Sequence, residues 1–121
     1  MNKYGIVILS NPNHNQEESL GRVLNALVLA NDLNQQGKEF QIFFQGTGTL
    51  WVNLLEDASH PGHALYMNVK QKVKGASKAC ADIFKANVTT LPLLEEFHIP
   101  NVGGATSLAK YMLEGYHMVS F

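Results

Sequence analysis

The run Tyr4-Gly5-Ile6-Val7-Ile8-Leu9 constrains the fold more than any other stretch of the chain. It is continuously apolar and rich in β-branched residues, the pattern of a strand covered on both faces in a parallel sheet. A parallel neighbour requires a crossover, and the next segment supplies one. Ser10-Asn11-Pro12-Asn13-His14-Asn15 is a turn-forming cluster, and Glu17 and Glu18 then place negative charge in the first turn of a helix that runs to about Gln36. Leu20, Val23, Leu24, Leu27 and Leu33 share one face at helical spacing, Val28 and Leu29 widen the stripe, and Gly37 is a C-terminal stop.

The alternation then repeats. Glu39 to Phe44 returns to strand character, Gln45 to Thr49 is a loop, and a second helix carries Leu50, Trp51, Leu54 and Leu55 to about Asp57. His60-Pro61-Gly62 breaks the chain, and the spacing of Leu65, Val69 and Val73 predicts a third helix from His63 to Lys74. Its other face, Lys70, Lys72 and Lys74, reads as a solvated surface. Gly75 to Ala79 is assigned to a strand on the alternation of its neighbours, and Ala81 to Lys85 to a helix. Thr89 to Glu96 is a loop or short helix around Pro92, His98 to Val102 a short strand, and Gly103-Gly104 a turn. Ala105 to Leu113 is a last helix with Leu108, Ala109 and Met112 inward, and Tyr116 to Phe121 a closing strand. The expected fold is one α/β domain over residues 1–121: a three-layer α/β/α arrangement with about five mostly parallel strands and helices on both faces.

A chain of 121 residues is the size of one domain. Its formal net charge of -1 argues against a basic nucleic-acid footprint, so no direct nucleic-acid partner is expected. The first apolar run is too short for a signal-peptide core or a bilayer span, and the expectation is a cytoplasmic protein with no membrane partner. A single cysteine forms no internal disulfide, so any relay chemistry is completed by a second chain or a small thiol.

In parallel α/β sheets, ligands collect beyond the carboxyl ends of the strands. The segments expected there are Ser10 to Gln16, Gln45 to Thr49, Cys80 to Asp82 and Val102 to Thr106. Cys80, in Lys78-Ala79-Cys80-Ala81-Asp82, is the candidate reactive group. A thiol reacts as thiolate, and a cysteine of ordinary pKa, about 8.5, is only a few per cent ionised at neutral pH. A helix start favours the anion through its unpaired N–H groups. Here Lys78 adds a positive charge, and the amides of Ala81 and Asp82 are placed to stabilise the sulfur. The competing reading is a small buried hydrophobe. His14, in the first loop, is a candidate binding residue and proton carrier, or else a solvent-facing histidine. Gly46, Thr47 and Gly48 follow a strand and open a helix, the context in which amides hold a phosphate, although the full P-loop pattern is missing and a glycine turn is the alternative. Gly103 and Gly104 read likewise. His60 and His63 have a metal-compatible spacing that Pro61-Gly62 spoils, so no metal site is expected. Trp51 belongs to the core or to a subunit interface, and the wide apolar stripes of the helices point to an oligomer.

Taken together these features resemble the DsrE/DsrF-like family of small α/β proteins. The residues that carry the resemblance are the early helix start Glu17-Glu18-Ser19-Leu20, the His60-Pro61 break, and the cysteine just after the third strand. Thr90-Leu91-Pro92-Leu93, Gly104-Ala105-Thr106-Ser107-Leu108-Ala109 and Val119-Ser120-Phe121 extend it over nearly the whole chain. The resemblance implies a sulfur-relay protein in which Cys80 accepts sulfane sulfur as a persulfide and passes it to a partner's cysteine, without a cofactor. It also implies assembly as homotrimers, hexamers or mixed hexamers. The chain departs from relay members in carrying Ala76-Ser77-Lys78-Ala79 before the cysteine and Asp82 close behind; a carboxylate facing the sulfur opposes thiolate formation. Two other readings of the same edge are a non-catalytic module for a small anion or nucleotide, with Cys80 incidental, and a structural or regulatory subunit of a mixed complex.

Overall fold

The structure, a computed structural model, describes residues 2–121. Strands β1 (Lys3–Ile8), β2 (Glu39–Phe44), β3 (Val73–Ser77), β4 (Leu93–Leu94) and β7 (Tyr116–Ser120) form one sheet in the order β4-β3-β2-β1-β7, and every pairing in it is parallel. The expected α/β sheet is thus present. Strands β5 (Phe97–Ile99) and β6 (Gly103–Ala105) make a separate antiparallel hairpin. Helices α1 (Gln16–Gln35), α2 (Trp51–Glu56), α3 (His63–Val69), α4 (Lys78–Ile83) and α5 (Leu108–Leu113) complete the fold, with a 3-10 turn at Gly46–Leu50 and another at Lys70–Lys72.

The continuous apolar character of β1 and β2 is explained by burial on both faces. Ile6 and Ile8 of β1 and Phe40, Ile42 and Phe44 of β2 face one side, where they meet Val23, Ala26, Leu27 and Ala30 of α1, Trp51, Val52 and Leu55 of α2, and Tyr66 and Val69 of α3. Val7, Phe43, Leu94 and Tyr116 form the smaller core on the other side, capped by Tyr111 of α5, whose ring lies 4.8 Å from that of Phe43. Trp51 belongs to the core: it is fully packed, and its indole N–H donates to the Ser10 carbonyl at 2.9 Å.

Gly37 stops α1 as expected. It takes a left-handed φ of 68°, which lets its own N–H and that of Lys38 donate to the carbonyls of Asn34 and Leu33 and close the helix end. The stripe expected on α1 is shifted, however. Val28 is exposed, and the buried face is completed by Ser19, Ala26 and Ala30, small residues that allow the helix to sit close to the sheet.

Five other local expectations are corrected. The third helix ends at Val69, because Val73 pairs with Ile42 and opens β3. The strand therefore covers Val73–Ser77, and Lys78 and Ala79, which favour helix over strand, start α4. Gly103 and Gly104 are strand residues of β6, not a turn. The reversal lies at Ile99-Pro100-Asn101-Val102, closed by the Val102 N–H donating to the Ile99 carbonyl, with Asn101 at φ 66° supplying the conformation a type II turn demands. On α5 Tyr111 is buried and Leu108 packs against the smaller core as expected, while Ala109 and Met112 are exposed. Lys70 is not merely solvated, since its ammonium lies 2.7 Å from Glu56, which also accepts from the buried Tyr66 hydroxyl at 3.1 Å.

Candidate functional site

Cys80 enters the structure through a helix cap. Ser77 ends β3 in an extended conformation, and its hydroxyl accepts the Cys80 amide at 3.3 Å, the role for which serine is favoured at an N-cap. Cys80 is thereby fixed in the first turn of α4, half-buried, immediately beyond the carboxyl end of β3. Of the amides without an i−4 partner at this start, that of Cys80 is taken by the Ser77 hydroxyl and those of Lys78 and Ala79 remain, while those of Ala81 and Asp82 fall within the helical ladder. Replacing Ser77 by alanine is expected to lower stability by ~1 kcal/mol, measured as a drop in Tm, with faster hydrogen exchange at the Cys80 amide.

Lys78 and Asp82 face each other one turn apart, with Nζ 2.8 Å from Oδ2. The hydrogen bond and charge of Asp82 raise the Lys78 pKa, so the lysine is firmly cationic. Its charge is nevertheless matched by the carboxylate. The pair itself carries no net charge, and Glu95 adds a further carboxylate whose charge acts on Lys78.

Two segments pack against α4: the Gly46–Leu50 turn and strand β6. The structure therefore brings Gly46, Thr47 and Gly48, Lys78 to Asp82, and Gly103 and Gly104 to one end of the sheet. Three polar donors of the glycine-threonine turn are engaged within the fold. The Gly48 amide donates to the Gln45 carbonyl at 2.9 Å, the Thr47 hydroxyl to the Leu9 carbonyl at 2.9 Å, and the Thr49 hydroxyl to the Gly46 carbonyl at 2.8 Å. Gly48 is required by proximity, since a Cβ there would lie 2.0 Å from the Ile8 carbonyl oxygen. Beneath the turn, Thr106 donates to the Gln45 side chain at 3.1 Å in a buried hydrogen bond.

The sequence reading did not single out Glu96, which fastens the hairpin beside this site. Its carboxylate accepts from the Ser107 amide at 3.0 Å and from the Tyr111 hydroxyl at 2.5 Å, with Lys110 at 3.4 Å. Burial alone would raise the Glu96 pKa; the hydrogen bonds from Tyr111, Ser107 and Lys110 outweigh it and hold the carboxyl below the ordinary value of 4.5. Burial and the neighbouring carboxylate push the Tyr111 hydroxyl upward. A depressed carboxyl pKa contributes stability that is present above the unfolded value and lost as pH falls through the folded one. Tyr111→Phe is therefore expected to cost about 2 kcal/mol at neutral pH. The gap from the native protein should narrow below about pH 4.5, in urea melts recorded across that range.

The remaining candidates lie apart. His14 lines a separate cleft of about 190 Å3 at the start of α1, with Asn11, Glu18 and Arg22 among its walls and no residue of α4. His60 accepts the Gly62 amide at Nδ1, 3.0 Å away, within its own loop, and His63 Nδ1, at the start of α3, is 2.7 Å from the Leu55 carbonyl of α2. Among the described residues no three His, Cys, Asp or Glu side chains group as metal ligands. Among the described residues no helix is long and apolar enough to cross a membrane.

Comparison with known proteins finds one similar curated relative, an uncharacterised protein of Methanocaldococcus jannaschii. It is 28% identical over 108 residues, which cover 88% of this chain and 85% of the relative. No solved structure matches. The family model described as DsrE/DsrF-like matches residues 2–121, from the first described residue to the last, and the chain belongs to that family.

Proposed function

We propose that the protein carries sulfane sulfur on Cys80 as a persulfide and hands it to a cysteine of a partner protein. The observation that supports this reading is the placement of the chain's one cysteine. It is half-buried in the first turn of α4 at the carboxyl edge of the sheet, in a DsrE/DsrF-like chain. In uptake, the Cys80 thiolate attacks the outer sulfur of a donor persulfide, the donor's S–S bond breaks, and the donor leaves as thiolate. In delivery, the acceptor thiolate attacks the terminal sulfur and Cys80 leaves. No net oxidation occurs, so the relay requires no cofactor. The hairpin and the Gly46–Gly48 turn pack against α4, and the Lys78–Asp82 pair lies on the same helix as Cys80. Because an exposed ion pair contributes little, Lys78→Gln is expected to change the rate of sulfur uptake by less than about fivefold, followed by mass spectrometry in time.

The relay is set in a cytoplasmic homo-oligomer, a trimer or hexamer. Ile83, Phe84, Phe97, Val102, Met112 and Leu113 are all exposed, and self-association would cover apolar side chains of this kind. Sulfur uptake tests the reading. Exposure to a small persulfide donor should add one sulfur to the native protein and none to Cys80→Ser, and failure of the native protein to take up sulfur contradicts it.

A further inference from the structure

The β5–β6 hairpin is held differently from the rest of the fold. No residue from Phe97 to Ala105 is fully buried, and none belongs to either core. It stands outside the main sheet, and its principal packing beyond its own two strands is that of β6 on α4. Segments with few buried apolar contacts are those that open locally while the core stays folded.

The stem of the hairpin is fastened more firmly. Glu96, the residue before β5, donates its amide to the Ala105 carbonyl at 2.8 Å. Its carboxylate accepts from the Ser107 amide and the Tyr111 hydroxyl and lies 3.4 Å from the Lys110 ammonium. On the outgoing side Thr106 is buried, with its hydroxyl donating to the Gln45 side chain at 3.1 Å. The hairpin is thus a lightly packed flap on a pinned stem, and on the incoming side the pins converge on one carboxylate.

The flap rests on the helix that carries Cys80. A Cβ at Gly103 of β6 would lie 3.8 Å from the Ala79 Cβ. Ala79 is buried, and the next residue is the half-buried Cys80. The Gly46–Leu50 turn also packs on α4 but is seated against Ile8 of β1 at Gly48. Of the two covers, the hairpin is the one more easily displaced.

We propose that the hairpin is a flap whose opening admits a protein-sized partner to Cys80, and that Glu96 is the positioning residue that holds it closed. The identity of that partner, a protein presenting a cysteine, rests on the carrier reading, whereas the movement itself is open to any thiol reagent. A small reagent reaches a half-buried thiol with the flap down, but a bulky one requires it to lift, so modification by the bulky one tracks the population of the open form.

Alkylation of Cys80 by iodoacetamide, free and carried on a polyethylene glycol chain, tests this when followed across the titration of the thiol. In Glu96→Gln and Tyr111→Phe the plateau rate of the polymer-linked reagent should rise by about tenfold, and that of free iodoacetamide by less than about twofold. The pH at half-plateau should match the native protein's, because access changes and the ionisation of the sulfur does not. Leu27→Ala, which weakens the main core without touching a hairpin residue, is the control and should leave the polymer rate within about twofold. Hydrogen exchange in the two Glu96-cluster variants should quicken from Phe97 to Ala105 and not in β1 or β2. Polymer rates unchanged in both variants, an equal rise in Leu27→Ala, or a shifted pH midpoint with an unchanged plateau would each overturn the proposal. Sulfur uptake plays no part in these rates, so a protein that shows them and takes up no sulfur refutes the carrier reading and retains the flap.

Discussion

Gly48→Ala should lower the stability of the protein by ~3 kcal/mol and its Tm by roughly 10 °C. The methyl group would lie 2.0 Å from the Ile8 carbonyl oxygen and 2.6 Å from the Ile8 carbonyl carbon, both backbone atoms of the buried strand β1. No rotamer change relieves such a clash, so the Gly46–Leu50 turn must move away from the sheet. That movement also loosens α4, which rests on the turn, and strains the hydrogen bond from the Gly48 amide to the Gln45 carbonyl. Thermal unfolding of the variant measures the loss. An unchanged Tm would mean that the turn is not seated on β1 and that its glycines serve a ligand instead.

A comparable loss is expected from Leu27→Ala, and almost none from its neighbour. Leu27 is 0% exposed within the main core, where truncation removes transfer energy and leaves a cavity costing ~3 kcal/mol. Val28 is 52% exposed, and Val28→Ala should stay within about 0.5 kcal/mol of the native protein. Urea melts of the two variants compare them directly. Reversed costs would place the other face of α1 against the sheet.

That contrast also marks how far the sequence could be read. The strands β1 and β2 were legible because residues buried on both faces leave a largely apolar signature, and α1 because its length and its glycine stop are encoded locally. The face of α1 was not, since hydrophobicity favours Val28 whereas close approach to the sheet favours Ala26 and Ala30. The α3–β3 junction misled for a related reason: Val69 and Val73 are spaced for a helix, yet Val73 is drawn into pairing with Ile42. Ser77 and the Pro100-Asn101 turn carried signals that were readable in principle, a cap ahead of a helix and a type II turn pair. The Glu96 cluster carried none, because Ser107, Lys110 and Tyr111 meet the carboxylate only once the hairpin has folded back toward α5. Of the site itself, the edge of the sheet and the position of Cys80 were legible. The neutralisation of Lys78 by Asp82 depends on both residues lying in one helix, which the expected strand at Lys78 concealed.

The central claim is that Cys80 carries sulfur and gives it up. Its most direct test is the intact mass of the protein after exposure to a persulfide donor, removal of the donor, and addition of excess small thiol. The account predicts a gain of one sulfur, absent in Cys80→Ser, that the thiol then removes completely as its own persulfide. No gain would contradict it. So would a gain of similar size that the thiol cannot reverse, since two oxygens on the sulfur weigh nominally the same as one added sulfur and mark irreversible oxidation.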